Sequence, residues 1–245
     1  MRNLADADLP GLLALLADIG YREIEPFSYH GRTPEQFRDL LDAAGLRLIG
    51  FHIGWDRWLN DRDAVFEEMQ FLKVPYAGVS GIFPNPPSTL SAYREIAAEL
   101  NEIGEEAGDA GIRFYWHNHA YEFAQVRGRY LYDVLLDETD PDLVFFELDL
   151  YWAVTGGVEP VDYLTSRDWP QYRFPLFHAK DRAANGKFAD LGTGTIDFAR
   201  SFGTLENKHY HHYLVERDSL EHPAETAEIG YEYLRGLRRR RGGGW

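Results

Sequence analysis

The chain has no cysteine among its 245 residues, which excludes a disulfide framework, a thiolate zinc finger and a thiol nucleophile. It is poor in basic residues: 25 Lys and Arg against 40 Asp and Glu give a net charge of −15. The acidic residues are spread along the chain and describe a solvated surface rather than an acidic tail. That balance argues against a nucleic-acid partner, which needs a basic footprint. The one basic block, Arg238–Arg241, precedes three glycines and Trp245. It is read as a frayed tail over 238–245, outside a single domain over 1–237. No stretch approaches the roughly 18 apolar residues of a membrane span, and no basic-then-apolar leader opens the chain. A cytoplasmic protein without membrane contact is expected. A glycine-rich dinucleotide fingerprint is also missing, since Gly192-Thr193-Gly194 lies in a loop and lacks the rest of that motif.

What is present suffices for a large core, with 44% apolar and 15% aromatic residues. Helix and strand signals alternate along the chain. Helices are predicted over 8–19, from Thr33 to Gly45, over 61–72, from Ser88 or Thr89 to Ala110, and around 130–136, 160–164, 198–205 and 224–237. Strands are predicted near 22–26, 47–53, 75–79, 113–118, 144–149, 174–178 and 210–216. Regular alternation implies a parallel sheet covered by helices. Two closures compete, an open doubly wound sheet and a TIM (β/α) barrel; chemistry-bearing residues at several strand ends suit the barrel, whose loops converge on one mouth.

The organising stretch is Arg113–Phe123, RFYWHNHAYEF. On a strand His117 and His119 share one face, while Trp116 and Asn118 take the other. Later strands end in residues of the same kind: Asp149, His178 and Glu216. Carboxylate oxygens mixed with imidazole suit a divalent ion, so Asp149, His178 and Glu216 are candidate metal ligands. His117 is the fourth candidate, with Glu122 as the alternative. His119 and Lys180 are candidates for meeting substrate and moving a proton, and Glu216 for the base. Glu147, on the same strand face as Asp149, is a candidate acceptor for an imidazole N–H. Asp181 and Arg182 are expected to pair at the rim, and His212 to lie in the barrel interior or at its bottom.

The segments GYREIE, GRTPEQFRDLLDAAGL, WHNHAYEF, ELDLYWAVTGGVEP, FHAKDR, LGTGTIDF and VERD together resemble the sugar phosphate isomerase/epimerase family. This is the xylose isomerase-like, AP-endonuclease-type TIM barrel superfamily, and the similarity runs from about Asp8 to Leu237. The resemblance implies a divalent metal, manganese first and magnesium, cobalt or zinc otherwise, held by Glu, Asp, His and Glu. The last three positions match Asp149, His178 and Glu216; at the first, where ketose epimerases carry glutamate, this sequence has His117. In those epimerases two glutamates act as an acid/base pair, and the loss of the first departs from that mechanism. The HNHxxEF form resembles a branch that includes inosose dehydratase-like and keto-sugar-processing lyases.

The expected function is a metal-dependent isomerase, epimerase or lyase that acts on a small sugar or cyclitol by proton abstraction next to a carbonyl. The alternatives are an AP-endonuclease-like phosphodiesterase and a sugar-binding barrel without catalysis. The family also has a first strand running into the first helix, and Met1-Arg2-Asn3 resembles its tail. The chain is therefore expected to form a barrel lacking that strand, open between residues 22–26 and 210–216. Its exposed edges would favour homo-oligomers.

Overall fold

The computed structural model describes residues 1–166, 169–219 and 221–240. The chain opens on helix α1 (Arg2–Ile19), bent at Asp8, where φ −153° and ψ 82° leave the helical region. Asp8 Oδ1 accepts the Gly11 N–H at 3.0 Å, so the predicted helix from Asp8 is the second arm of α1, with its own cap. Strand β1 (Glu23–Ile24) is followed by α2 (Pro34–Ala44). Reciprocal bonds between Thr33 and Gln36 start α2, and Gly45 at φ 67° ends it. The predicted 47–53 strand is two pieces, β2 (Arg47–Leu48) and β3 (Gly50–Ile53), interrupted at Ile49. Helices α3 (Trp55–Asn60) and α4 (Arg62–Phe71) lead to β4 (Tyr76–Val79), and α5 (Leu90–Asp109) leads to β5 (Arg113–His117).

A two-residue hairpin, β6 (Gln125–Val126) with β7 (Arg129–Tyr130), precedes α6 (Leu131–Glu138) and β8 (Val144–Asp149). Then come α7 (Leu150–Thr155), α8 (Pro160–Ser166) and β9 (Leu176–Ala179). A second hairpin, β10 (Asp181–Arg182) with β11 (Phe188–Ala189), is followed by α9 (Phe198–Gly203), β12 (His212–Val215) and α10 (Pro223–Arg240). Neither hairpin is visible in the sequence pattern, because two-residue strands carry no periodicity. Helix α10 continues through Arg240, so residues 238–240 of the predicted tail are helical; 241–245 lie outside the described residues.

Six strands form one parallel sheet in the order β12-β9-β8-β5-β4-β3. Strand β1 pairs in parallel with β2, which runs into β3, so the curl extends one strand further. The chain is a TIM-type barrel that stays open between β1 and β12, as predicted. Among the described residues no strand pairs with the outer edge of either. Side chains span the opening instead: His212 Nδ1 lies 2.8 Å from Glu23 Oε2, and the Tyr21 hydroxyl donates to the Ala227 carbonyl at 2.9 Å. Leu9, Leu12 and Leu16 of α1 and Tyr231 and Leu234 of α10 line the slot.

The faces of the strands divide the labour. Phe114, Trp116, Phe146, Leu148 and Phe177 belong to the main core under the helices. Inside the curl, Ile49, Tyr76, Tyr115, Phe145 and Leu176 make a separate apolar plug. Above that plug, toward the C-terminal ends of the strands, the inward residues are His117, Glu147, Asp149 and His178, all buried. Arg173 braces the sheet from outside. It is buried, donates to the carbonyls of Leu136 (2.6 Å) and Val144 (3.1 Å) and to Thr139 Oγ1 (2.7 Å), and lies over the Phe146 ring.

Two predictions follow from this architecture. Arg173→Met keeps the apolar stem but leaves buried carbonyls without donors, and should cost about 3 kcal/mol in urea unfolding; a change below about 0.5 kcal/mol would show that the brace carries nothing. In β12, His212 and Glu216 turn their N–H groups to β9, so the alternation of a parallel strand turns that of Val215 to the slot. The Val215 amide should exchange with deuterium at least about tenfold faster than that of Leu148 in the interior strand β8; equal protection would mean that the edge is covered.

Candidate metal and acid-base site

Six backbone segments bring polar side chains to the C-terminal end of the curled sheet. Register does most of the work: Asp149 of β8 stands beside His178 of β9, and His117 of β5 beside Glu147 of β8. Glu25 enters from just after β1. Its carboxylate occupies the space where a Cβ on Gly50 would lie, with Oε1 2.2 Å from that position, so a side chain at residue 50 would displace Glu25. The Tyr115 hydroxyl fixes Glu25 by donating to Oε1 at 2.5 Å.

His178 is the hub. Its Nδ1 is 2.9 Å from Glu216 Oε2 and 3.7 Å from Asp149 Oδ2, and its Nε2 is 2.8 Å from Glu25 Oε2 and 3.1 Å from Glu147 Oε1. Burial opposes its protonation, but the charges of Glu147 and Glu216 raise its pKa well above the ordinary value. Carboxylates thus face both ring nitrogens. The same balance acts in reverse on Glu147 and Glu216: burial works to raise them, and the His178 charge holds both well below the usual carboxylate range. Asp149 differs, for burial outweighs Lys180 and its pKa is raised.

The sequence-derived candidates fall into distinct places. Donor atoms of Asp149, His178 and Glu216 lie within 4.8 Å of one another. His117 is close by but belongs to a deeper group with His52, Glu147 and His178; its Nδ1 is 3.0 Å from Glu147 Oε2. Glu147 thus has the imidazole contact foreseen for it. Glu122 is turned the other way: Oε1 accepts Trp116 Nε1 at 3.2 Å and Oε2 accepts the His119 N–H at 2.8 Å. Burial in that pocket pushes its pKa up to about 8. Lys180 is buried, with its ammonium 2.9 Å from Glu216 Oε2, 2.5 Å from Asp218 Oδ2 and 3.6 Å from Asp149 Oδ2. It also lies over the rings of Trp152, Phe188 and Tyr151. His119 packs edge-on against Phe83 at the cavity mouth, and burial, with the Lys180 charge, lowers its pKa to about 4. It is a neutral imidazole near pH 7.

Sequence reasoning missed Glu25, His52 and Asp218 as members of the site. His52 does stand near a strand end, the same signal that singled out His117. Asp218 follows β12 in a loop and gives no such signal. Asp181 is a correction: it does not merely pair with Arg182 at the rim. Buried, it accepts the N–H groups of Gly192 and Gly194 at 2.9 Å each, of Arg182 at 2.7 Å and of Ile196 at 3.3 Å. The GTGTID loop is therefore organised by a carboxylate of the protein itself.

These residues fit a divalent cation. Carboxylates outnumber the fixed cation Lys180, and two buried oxygens, Asp149 Oδ2 and Glu147 Oε1, have no hydrogen-bond partner. Asp149 Oδ1 caps α7 by accepting the Trp152 N–H at 2.8 Å, which leaves Oδ2 for the site. A cavity of about 1320 Å³ reaches from His117, His119, His178, Lys180 and Glu216 to the slot between β1 and β12. It exceeds the roughly 300–1,000 Å³ of ordinary ligand pockets, because it runs on into the slot lined by α1 and α10.

The whole chain is similar to known proteins. Inosose dehydratase from Clostridium botulinum (strain Alaska E43 / Type E3) is 28% identical over 57% of this chain and 53% of its own length. The chain thus spans about half the length of that relative. Inosose dehydratase from Geobacillus kaustophilus is 25% identical over 93% of this chain and 89% of its own. A sugar phosphate isomerase/epimerase from Parabacteroides distasonis, known as a crystal structure, superposes with TM-score 0.78 at 26% identity, over 95% of this chain and 89% of that one. Residues 13–237 match the xylose isomerase-like TIM barrel family, and the chain belongs to that family.

Proposed function

We propose that the protein is a divalent-metal-dependent enzyme that abstracts a proton next to a carbonyl in a small sugar or cyclitol, as an isomerase, epimerase or dehydratase. The observation that carries this reading is the convergence of Asp149, His178 and Glu216, with an unpartnered oxygen of Asp149 among them. Support comes from relatives named inosose dehydratase and sugar phosphate isomerase/epimerase, which make keto-cyclitols and ketoses the substrates to try first.

Asp149, His178 and Glu216 would hold the ion, with manganese the first choice. When bound, it supplies Lewis acidity that makes a C–H beside a carbonyl easier to ionise. The chain's own groups do the rest. Glu216 is the base: its side chain is 33% exposed to the cavity while Oε2 is fixed by His178 and Lys180. Holding one oxygen in place aims the other. Lys180, kept charged by Asp149, Glu216 and Asp218 despite its burial, supplies a fixed positive charge beside a developing oxyanion. His119, neutral and at the mouth, exchanges a proton with a substrate hydroxyl. In dehydration the C–H proton taken by Glu216 passes to the departing β-hydroxyl, which leaves as water; in isomerisation it returns to the adjacent carbon while His119 relays the hydroxyl proton to the former carbonyl oxygen.

The test is solvent-deuterium incorporation into keto-sugars and keto-cyclitols by protein purified without chelator. Wild type should exchange the C–H next to the carbonyl. Glu216→Gln should lose that exchange by at least about 100-fold, with bound metal measured alongside so that loss of the base is not confused with loss of the ion. Undiminished exchange in a metal-loaded Glu216→Gln protein would place the base elsewhere.

A further inference from the structure

Below the group just described lies a second cluster with different chemistry. His52 of β3, His117 of β5, Glu147 of β8 and His178 of β9 each present one donor atom, and these atoms all lie within 4.8 Å of one another. Glu147 Oε2 is 2.9 Å from His52 Nε2 and 3.0 Å from His117 Nδ1. Glu147 Oε1 is buried and has no hydrogen-bond partner, although His178 Nε2 stands 3.1 Å away. The three imidazole rings crowd together, with centroids 5.1 Å apart for His52 and His117 and 4.6 Å for His117 and His178.

We propose that this cluster is a second, inner cation site, formed by His52, His117, Glu147 and His178 Nε2, which takes a borderline divalent ion of the zinc or cobalt kind. The donor set decides the class: three imidazoles and one carboxylate suit zinc or cobalt, whereas the outer group, two carboxylates and one imidazole, suits manganese or magnesium. Four protein donors fill a tetrahedral ion and leave no position for substrate. Burial agrees, with Glu147 0%, His117 3% and His178 3% exposed. The inner ion is accordingly structural, tying four strands together at the centre of an open barrel.

Glu25 borders the same nitrogens: its Oε2 lies 3.3 Å from His52 Nε2 and 2.8 Å from His178 Nε2, and the Tyr115 hydroxyl fixes its other oxygen, so it adds negative charge beside the ion rather than orienting a ring. His178 stands between the sites, with Nδ1 toward Asp149 and Glu216 and Nε2 toward Glu147. With both ions bound, His178 would bridge them as an imidazolate, its ring N–H proton released to solvent; the inner site goes beyond the proposed catalytic ion and does not require it.

The experiment is elemental analysis of the full chain, loaded with zinc or cobalt and desalted, in wild type and two double variants. His52→Ala with His117→Ala removes the inner donors; Asp149→Asn with Glu216→Gln removes the outer ones. Wild type should hold two ions per chain and each variant one. The cobalt protein should show the intense visible absorption of a tetrahedral, nitrogen-rich site in wild type and in the outer-site variant, and should lose it in the inner-site variant. One ion in wild type, lost only in the outer-site variant, would overturn the inner site and leave the catalytic reading standing. One ion lost only in the inner-site variant supports the inner site and overturns the catalytic reading. One ion lost in both variants means a single mixed site and overturns the proposal, as does no ion at all. If the inner-site variant does not fold, the wild-type stoichiometry and the cobalt spectrum of the outer-site variant decide.

Discussion

Burial of negative charge around one histidine is the constraint on which the site depends. Glu25, Glu147, Asp149 and Glu216 all come within 3.7 Å of a ring nitrogen of His178. An unpaired carboxylate in such surroundings would neutralise or be expelled. The chain keeps them by supplying imidazoles and the Lys180 ammonium from neighbouring strands. Removing one member strands the others, so these positions act as a unit rather than as separate contacts. The apolar plug beneath, built from Tyr76, Tyr115, Phe145 and Leu176, closes the floor and keeps water from the lower side.

The opening between β1 and β12 is a matter of strand pairing. A full barrel closes its sheet by backbone hydrogen bonds; here His212 and Glu23, and Tyr21 and Ala227, bridge the edges with side chains. Such bridges leave edge N–H groups without a ladder, which is where self-pairing begins in other open sheets. The end that carries the polar cluster is less affected. Glu216 is still tied to β9, because its N–H donates to the Ala179 carbonyl at 3.2 Å.

Much of this was legible in the sequence. Strict helix–strand alternation gives the layered α/β architecture, and the two-residue period puts Glu147 and Asp149 on one face and His178 with Lys180 on one face. Strand ends then nominated Asp149, His178 and Glu216, which the fold does bring together. What stayed hidden depended on tertiary closure. His52 and Glu25 come from strands distant in sequence, and only the curl of the sheet sets them against β8 and β9. Glu122 is a residue type suited to metals, yet a short 3₁₀ turn over Tyr121–Phe123 aims it at Trp116. Asp181 lay in plain sight beside Arg182, but besides the Arg182 N–H its partners are three backbone N–H groups of a loop, and loops have no period to read.

The central claim is that the cluster around His178 holds a divalent ion through Asp149 and Glu216. Thermal unfolding tests it most directly, because an ion bound only by the folded chain must stabilise it by mass action. Manganese at about 100 times its dissociation constant should add about 2.7 kcal/mol, which for a chain of this size raises the melting temperature by roughly 5–10 °C over chelator-treated protein. Asp149→Asn should abolish most of that rise. A wild-type melting temperature unmoved by manganese, magnesium, cobalt and zinc alike would contradict the account.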